Sequence, residues 1–284
     1  MCGIVGILGN HEASPILVDA LKRLEYRGYD SSGIATINDG VLERRREIGK
    51  LVNLADKLVH QPLKGKIGIG HTRWATHGSP TLANAHPQKT GKVAVVHNGI
   101  IENFKKLRDE LISNGANFQS ETDTETIAQL CMSFIDGGDD PKIAAKKTLA
   151  RLEGAYALCF LFHGYDNLLI AARKGSPLAI GHGNGEMFVG SDAIAENVNM
   201  SLITTCPVPF AFNSKLPFDA SLVIEVMFVR SLSKFKVIVS GSAPAVLMFD
   251  PPVNCRVFPV ATVICVESSP ATLRLNPPPT CRST

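Results

Sequence analysis

The beginning of the chain constrains its fold most. A cysteine follows the initiator methionine and heads a short run of small and branched residues, Gly3 to Leu8, which favours a β-strand. Removal of Met1 is expected because the Cys2 side chain is small, and it would leave a thiol and a free α-amine on one residue. An α-amine with a pKa of roughly 7.7 to 8.0 can accept the thiol proton at neutral pH. Alternatively, Cys2 is only a small apolar residue that opens a buried strand.

Length and composition narrow the class of protein. The 284 residues suffice for one large or two small domains. The net charge of +3, with no like-charge run longer than Arg44-Arg45-Arg46, favours neither nucleic acid nor a membrane surface as partner. The seven cysteines are odd in number and lack Cys-x-x-Cys spacing. Together with the absence of a signal-peptide pattern, this predicts a reduced, cytoplasmic protein.

Composition changes near residue 195. All but one of the 24 glycines and all eight histidines precede that point, whereas 11 of the 17 prolines follow it. Apolar runs at 221–229 and 257–266 lack the alternation of a half-buried strand, and the chain approaches its end through Pro277-Pro278-Pro279. We therefore predict one domain over residues 2–195. Residues 196–284 are either an accessory domain or, as we favour, a non-native sequence from a reading-frame change, and a sequence of the second kind is expected to be disordered.

Periodicity in the first 195 residues predicts alternating strands and helices in two sheets layered with helices. Ser14 is predicted to cap the first helix with Pro15 at its first position. Asn38-Asp39-Gly40 predicts a hairpin. The remaining predicted helices lie near 51–58, 102–114, 124–135 and 141–152, and the predicted strands at 2–8, 34–37, 41–48, 67–71, 93–97, 156–162, 168–172, 178–180 and 187–189.

Polar residues stand where two apolar strands are predicted to end, and functional groups often occupy such positions. Thr72-Arg73-Trp74 follows the strand that ends at His71, and Asn98-Gly99 follows the strand that ends at His97. Each has an ordinary structural interpretation as well. Asn98-Gly99 alone is typical of a tight turn, and Arg73 could form a surface salt bridge.

Six segments in this order are similar to one known family. They are Cys2-Gly3-Ile4-Val5-Gly6, Arg23-Leu24-Glu25-Tyr26-Arg27-Gly28-Tyr29-Asp30-Ser31, Gly70-His71-Thr72-Arg73-Trp74-Ala75-Thr76-His77-Gly78, Ala85-His86-Pro87, Val96-His97-Asn98-Gly99-Ile100-Ile101-Glu102-Asn103 and Ser120-Glu121-Thr122-Asp123-Thr124-Glu125. Residues 2 to about 195 thus resemble the glutaminase domain of the glutamine:fructose-6-phosphate aminotransferase (glucosamine-6-phosphate synthase) family of class II amidotransferases. Related class II amidotransferases, such as glutamine phosphoribosylpyrophosphate amidotransferase, share the Met-Cys-Gly start and the His-Thr-Arg core.

The resemblance implies a fold and a catalytic group. The fold is the α+β, four-layer α/β/β/α sandwich of N-terminal nucleophile hydrolases, which the predicted element order allows but does not single out. Cys2 would attack the side-chain amide of L-glutamine with its α-amine as base. The Asn98 amide and the Gly99 N–H would stabilise the oxyanion, and Arg27 and Gly28 would lie against the N-terminal residue.

The resemblance also implies how glutamine is held. Arg73 would bind the α-carboxylate and Asp123 the α-ammonium, although Asp123 could equally cap the helix predicted from Thr124. Trp74, Thr76 and His77 would form a loop that closes over the substrate. We expect His71, His86 and His97 to be packing or supporting residues, and we expect no metal and no cofactor.

Nothing after residue 195 resembles the family's sugar-isomerase half, so fructose 6-phosphate would be a substrate only with such a domain present. This predicts a glutaminase that releases glutamate and ammonia, and a homodimer is compatible with the sequence. Two alternatives stay open. One is an inactive module that binds glutamine for regulation, and the other is the glutaminase domain of a different class II amidotransferase.

Overall fold

The computed structural model describes residues 2–74, 78–182 and 186–192, and the backbone of four later strands. The strands of the first part are β1 Gly3–Leu8, β2 Ser31–Asn38, β3 Val41–Ile48, β4 Ile67–Arg73, β5 Gln88–Thr90, β6 Val93–Ile101, β7 Gly154–Phe162, β8 Leu168–Lys174, β9 Ala179–His182 and β10 Met187–Gly190. The helices are α1 Ala13–Arg23, α2 Leu51–His60, α3 Phe104–Ser113, α4 Asp123–Asp136 and α5 Pro141–Arg151, and a short 3₁₀ turn spans Glu25–Arg27.

These strands form two sheets. The first has the order β3-β2-β4-β1-β10-β9, with antiparallel neighbours throughout. The second contains β8-β7-β6-β5, again antiparallel. Strand β1, which begins directly after Cys2, thus lies in the interior of the first sheet between β4 and β10.

Three apolar clusters separate four layers. On β1, Val5 and Ile7 pack with α1 and α2, whereas Ile4 and Leu8 pack between the two sheets. On β6, Val95 packs against α3, α4 and α5, whereas Val96 lies between the sheets. Both faces of each sheet are therefore covered, which explains why these strands are continuous apolar runs in the sequence.

The structure confirms the predicted hairpin and corrects the start of α1. Asp39 and Gly40 both have positive φ, +49° and +77°, as a two-residue turn of the tightest hairpin type requires. Helix α1 begins at Ala13 with Glu12 at the cap position, two residues before the predicted Ser14 cap. A tertiary contact decides this start, because the Ala13 N–H donates to the Gly65 carbonyl at 2.8 Å.

Strand β6 continues four residues past its predicted end, and the isolated interpretation of Asn98-Gly99 as a tight turn is wrong. Asn98 pairs with Ala157 and Gly99 with Tyr156 on β7. Pairing with β7 keeps these polar residues in the sheet. The apolar pattern of β6 alone could not predict that the strand continues past His97. The short strand β5 was not predicted either.

Four strands follow residue 222. They are β11 Val223–Met227, β12 Phe235–Ser240, β13 Pro244–Phe249 and β14 Thr262–Val266. They extend the second sheet in the order β13-β12-β11-β14, with β14 parallel to β8. Strands β11 and β14 fall within the two apolar runs of the sequence. The origin of residues 196–284 is a separate question, and the domain division at 195 stays a prediction. Among the described residues, no helix combines the length and apolar character needed to span a bilayer.

Candidate active site

Cys2 lies at the head of β1, half-buried, with its thiol against the end of β4. The Trp74 N–H donates to Cys2 Sγ at 3.1 Å, and Sγ lies 3.5 Å from the Trp74 carbonyl. Burial raises the pKa of the Cys2 thiol, an effect that the Trp74 N–H and the nearby Arg73 guanidinium partly offset. The thiol is therefore protonated at neutral pH and needs a base to become a nucleophile.

Two predicted residues meet the Cys2 main chain. Arg27 Nη1 donates to the Cys2 carbonyl at 3.2 Å, and Asn98 Nδ2 donates to the same oxygen at 3.1 Å. Arg27 comes from the 3₁₀ turn after α1, whereas Asn98 comes from β6 of the opposite sheet. The Cys2 carbonyl therefore accepts hydrogen bonds from Arg27 on the side of the first sheet and from Asn98 on the second sheet.

Arg27 is itself held by two residues that sequence reasoning missed. Its Nη2 is 2.5 Å from Asp192 Oδ2, and the same carboxylate accepts from the Tyr26 hydroxyl at 2.7 Å. Ser191 Oγ accepts from the Ile4 N–H at 3.0 Å and from Arg27 at 3.4 Å. Ser191 and Asp192 directly follow β10, so the rule that polar residues at strand ends are candidates would have found them.

Gly28 and Trp74 are in contact beside Cys2. Gly28 has φ +73°, and a Cβ there would lie 2.3 Å from the Trp74 ring. The indole therefore packs on the glycine where any side chain would displace it. Trp74 is 52% exposed, so much of its surface faces solvent next to the thiol.

A chain of buried histidines lies behind Asn98. His71 Nε2 is 2.9 Å from Asn98 Oδ1 and 3.0 Å from the His97 carbonyl. His86 Nδ1 lies 3.1 Å from His71 Nδ1. Burial lowers the pKa of His71 to about 3 and that of His86 well below its usual range, so both rings are neutral at physiological pH. The sequence assigned these histidines only to packing or support.

Arg73 does not lie at the surface, so the alternative prediction that it forms a surface salt bridge is wrong. The side chain is buried, its Nη2 donates to the Gly78 carbonyl at 3.0 Å, and its Nη1 donates to the Ser79 carbonyl at 3.3 Å. Nη1 is also 3.6 Å from Asp30 Oδ1. The result is an oriented cation next to Trp74 and the thiol, with Asp30 as a partner that sequence reasoning did not single out.

Asp123 does not cap its helix. The cap is Thr122, whose hydroxyl accepts from the Glu125 N–H at 3.4 Å. Asp123 instead faces the end of β6, where its Oδ2 accepts from the Ile101 N–H at 3.0 Å and its Oδ1 is 3.5 Å from His97 Nδ1. A buried carboxylate thus lies along the same strand as Asn98 and Gly99.

Gly99 occupies a position that only glycine fits. Its φ is +117°, and a Cβ there would lie 2.1 Å from the Ala155 carbonyl oxygen. Of the remaining predicted residues, Thr76 and His77 lie outside the described residues. The structure thus brings Arg27, Asn98 and Trp74 onto Cys2. Arg73 and Asp123 lie on the strand and helix ends that adjoin it.

Comparison with known proteins finds similarity to glutamine amidotransferases. A family described as glutamine amidotransferase domain matches residues 71–195. Glutamine–fructose-6-phosphate aminotransferase (isomerizing) from Zymomonas mobilis is 60% identical over 195 residues, and that from Rhizobium meliloti is 62% identical over the same length. These matches cover 69% of this chain and 32% of each relative. The chain therefore spans about a third of the length of the relatives it matches.

Solved structures give the same result for the fold. Glutamine phosphoribosylpyrophosphate amidotransferase from B. subtilis, solved with ADP and GMP, is 31% identical with a TM-score of 0.61, covering 68% of this chain and 42% of that one. A structure described as the allosteric regulatory enzyme of purine biosynthesis is 30% identical with the same TM-score and the same coverage. The predicted α+β sandwich is confirmed.

Proposed function

We propose that the first 195 residues of this chain act as a glutaminase of the glutamine–fructose-6-phosphate aminotransferase type, to which they are similar, and that the chain hydrolyses L-glutamine to glutamate and ammonia with Cys2 as the nucleophile. The observation that carries the proposal is the position of Cys2. It heads an interior strand, its sulfur accepts from the Trp74 N–H, and its carbonyl is held by Arg27 and Asn98.

The raised pKa of the buried thiol calls for a base. Once Met1 is removed, the α-amine of Cys2 takes the thiol proton, and the thiolate attacks the side-chain amide carbon of glutamine. The tetrahedral oxyanion is stabilised by the Asn98 side-chain amide and the Gly99 N–H. Collapse breaks the C–N bond, the protonated amine gives its proton to the departing ammonia, and water then hydrolyses the thioester to release glutamate.

Selectivity for a free amino acid follows from two charged groups. Arg73 is a buried guanidinium beside Trp74 and supplies a cation for the α-carboxylate. Asp123 supplies a carboxylate for the α-ammonium at the end of β6. Residues Trp74, Thr76 and His77 belong to the segment that covers the substrate, and Gly28 leaves room for the indole.

Transfer of the ammonia to an acceptor is a separate step from glutamine hydrolysis. The relatives named above are aminotransferases for fructose 6-phosphate, and this chain matches 32% of their length. We propose that transfer to fructose 6-phosphate requires an isomerase domain in addition to the residues that match. A cytoplasmic location and a homodimer stay predictions.

The test is release of glutamate and ammonia from glutamine by the purified protein. Cys2→Ala is expected to lower kcat by about 10³-fold or more, since removal of a nucleophile abolishes covalent catalysis. Cys131→Ala, which changes a buried thiol in the outer core, is expected to leave kcat within about threefold. N-terminal sequencing should find cysteine first, and an active protein that retains Met1 would remove the α-amine from the mechanism.

The same measurement separates the alternatives. Wild-type protein that binds glutamine by calorimetry but releases no ammonia would be a binding module. Release of ammonia that rises only on addition of a separate acceptor protein would indicate a different class II amidotransferase.

A further inference from the structure

We propose that His71 is the positioning residue that turns the Asn98 carboxamide so that its NH₂ group, and not its oxygen, faces the reaction centre, and that His86, packed edge-on against the His71 ring, holds that ring in place for this purpose. The inference rests on the proposed function. It concerns two histidines that neither the motifs nor the comparisons assign to catalysis.

An asparagine in an oxyanion site has an orientation problem. Its carboxamide carries donors on one end and an acceptor on the other, and the two ends have nearly the same shape. Only the NH₂ end stabilises a developing negative charge, and a flip of the amide would present an oxygen to it instead. Some other group must therefore distinguish the two ends of Asn98.

Two main-chain carbonyls, which can only accept, fix the direction of every hydrogen bond around Asn98. The Cys2 carbonyl is 3.1 Å from one end of the amide, so that end is Nδ2. The His97 carbonyl is 3.0 Å from His71 Nε2, so this nitrogen carries the hydrogen. His71 Nε2–H then faces Asn98 Oδ1 at 2.9 Å. Both assignments lead independently to the same orientation of the amide.

His86 completes the arrangement. His86 Nδ1 lies 3.1 Å from His71 Nδ1 and 3.3 Å from His71 Nε2, so the edge of the His86 ring packs on the face of the His71 ring and restricts its position. The two rings meet edge-on, with centroids 4.3 Å apart. Burial of both rings excludes the charged form that would reverse these bonds.

The loop that carries His86 is tied down by the first sheet. Arg46 Nη1 on β3 donates to the Ala85 carbonyl at 2.7 Å, and Gln88 Nε2 donates to the Ala83 carbonyl at 2.9 Å. On β2, a Cβ at Gly33 would lie 2.2 Å from the His86 carbonyl oxygen, so this loop packs directly on the strand. His86 is therefore held at a fixed distance from His71.

The topology explains why His71 can act on the site. His71 on β4 is paired with Ile4 on β1, two residues from Cys2, so His71 and Cys2 approach from the same sheet. Asn98 comes from the opposite sheet on β6. The Cys2 carbonyl and His71 Nε2, both on the side of the first sheet, thus bind the two ends of the Asn98 amide.

The experiment compares His71→Leu, which removes the donor, with His71→Gln, which keeps an NH₂ group close to the position of Nε2. We expect His71→Leu to lower kcat for glutamine hydrolysis by about 10-fold to 10²-fold, with KM within about threefold, because the loss is in transition-state stabilisation. The kcat of His71→Gln is expected to be at least about tenfold higher than that of His71→Leu. Equal kcat values for His71→Leu and wild type would overturn the proposal.

A double-mutant cycle separates positioning from general damage to the fold. In an Asn98→Ala background there is no amide to orient, so His71→Leu is expected to change kcat by less than about threefold. A full additional loss in that background would show that His71 acts independently of Asn98 and would refute the proposal.

A spectroscopic measurement on the wild-type protein does not depend on activity. Nitrogen-15 NMR of the wild-type protein is expected to show His71 as the neutral Nε2–H tautomer, assigned by the signal that His71→Gln removes. An Nδ1–H tautomer would overturn the inference even in an active enzyme. If wild-type protein releases no ammonia, the proposed function fails, whereas the tautomer still decides the inference.

Discussion

Gly99 shows how one residue ties the backbone to the proposed chemistry. Its φ of +117° and the Ala155 carbonyl 2.1 Å from any added Cβ leave no room for a side chain. We expect Gly99→Ala to lower the free energy of unfolding by about 3 kcal/mol, since backbone strain of about 1–3 kcal/mol adds to the steric clash. Urea denaturation measures the change, and the kcat for glutamine should fall with it because the Gly99 N–H moves.

Gly115 is a matched control for this prediction. Its φ is +90°, but an added Cβ would meet nothing within 4 Å. Gly115→Ala carries the strain without the clash and is expected to cost about 1–2 kcal/mol with no change in kcat. Equal effects of the two substitutions would mean that the contact with Ala155 does not matter.

Among the elements, the first turn of α4 places a proposed substrate ligand. Thr122 caps the helix through the Glu125 N–H, and the Glu125 carboxylate accepts from the Gln119 N–H at 2.8 Å and the Ser120 N–H at 2.5 Å. Asp123 is the first residue inside this helix. The local network therefore sets where the Asp123 carboxylate meets β6.

Loss of this cap is expected to affect stability and substrate binding together. Thr122→Ala should lower the free energy of unfolding by about 1 kcal/mol and raise KM for glutamine, because the helix start that carries Asp123 loosens. The control is Asp140→Ala, which removes the cap of α5, where Asp140 Oδ1 accepts from the Lys142 N–H at 2.8 Å. That variant should lose similar stability with KM unchanged, and an equal rise in KM would contradict the local explanation.

For the whole molecule, the main prediction concerns the end of the glutaminase unit near residue 195. The relatives match 195 residues, and the five helices and the strands β1 to β10 given above lie within residues 2–192, although β8 also pairs with β14. We expect limited trypsin digestion to cut first at Lys215, the first Lys or Arg after Lys174, and to leave an N-terminal fragment that hydrolyses glutamine. Mass spectrometry identifies the cut.

Two outcomes would count against this boundary. First cuts within residues 2–174 would show that the sandwich is no more resistant than the rest of the chain. Cleavage at Lys215 that abolishes glutaminase activity would show that the later strands, through β14 on β8, are part of the catalytic unit.

The sequence alone determined the helices, the hairpin and most strands, because local periodicity and turn chemistry act over a few neighbouring residues. Through its motifs it also identified Cys2, Arg27, Asn98 and Trp74 as a set, and the structure joins them.

Only the tertiary structure decided the remaining points. It places Asn98 and Gly99 in a strand, puts the helix cap at Thr122, buries Arg73 beside Asp30, and shows Asp192 as a support of the site. It also shows which groups His71 and His86, expected from the sequence to be supporting residues, contact. These contacts join residues far apart in the chain across two sheets. Their hydrogen bonds are set by strand register and layer packing, which no local pattern records.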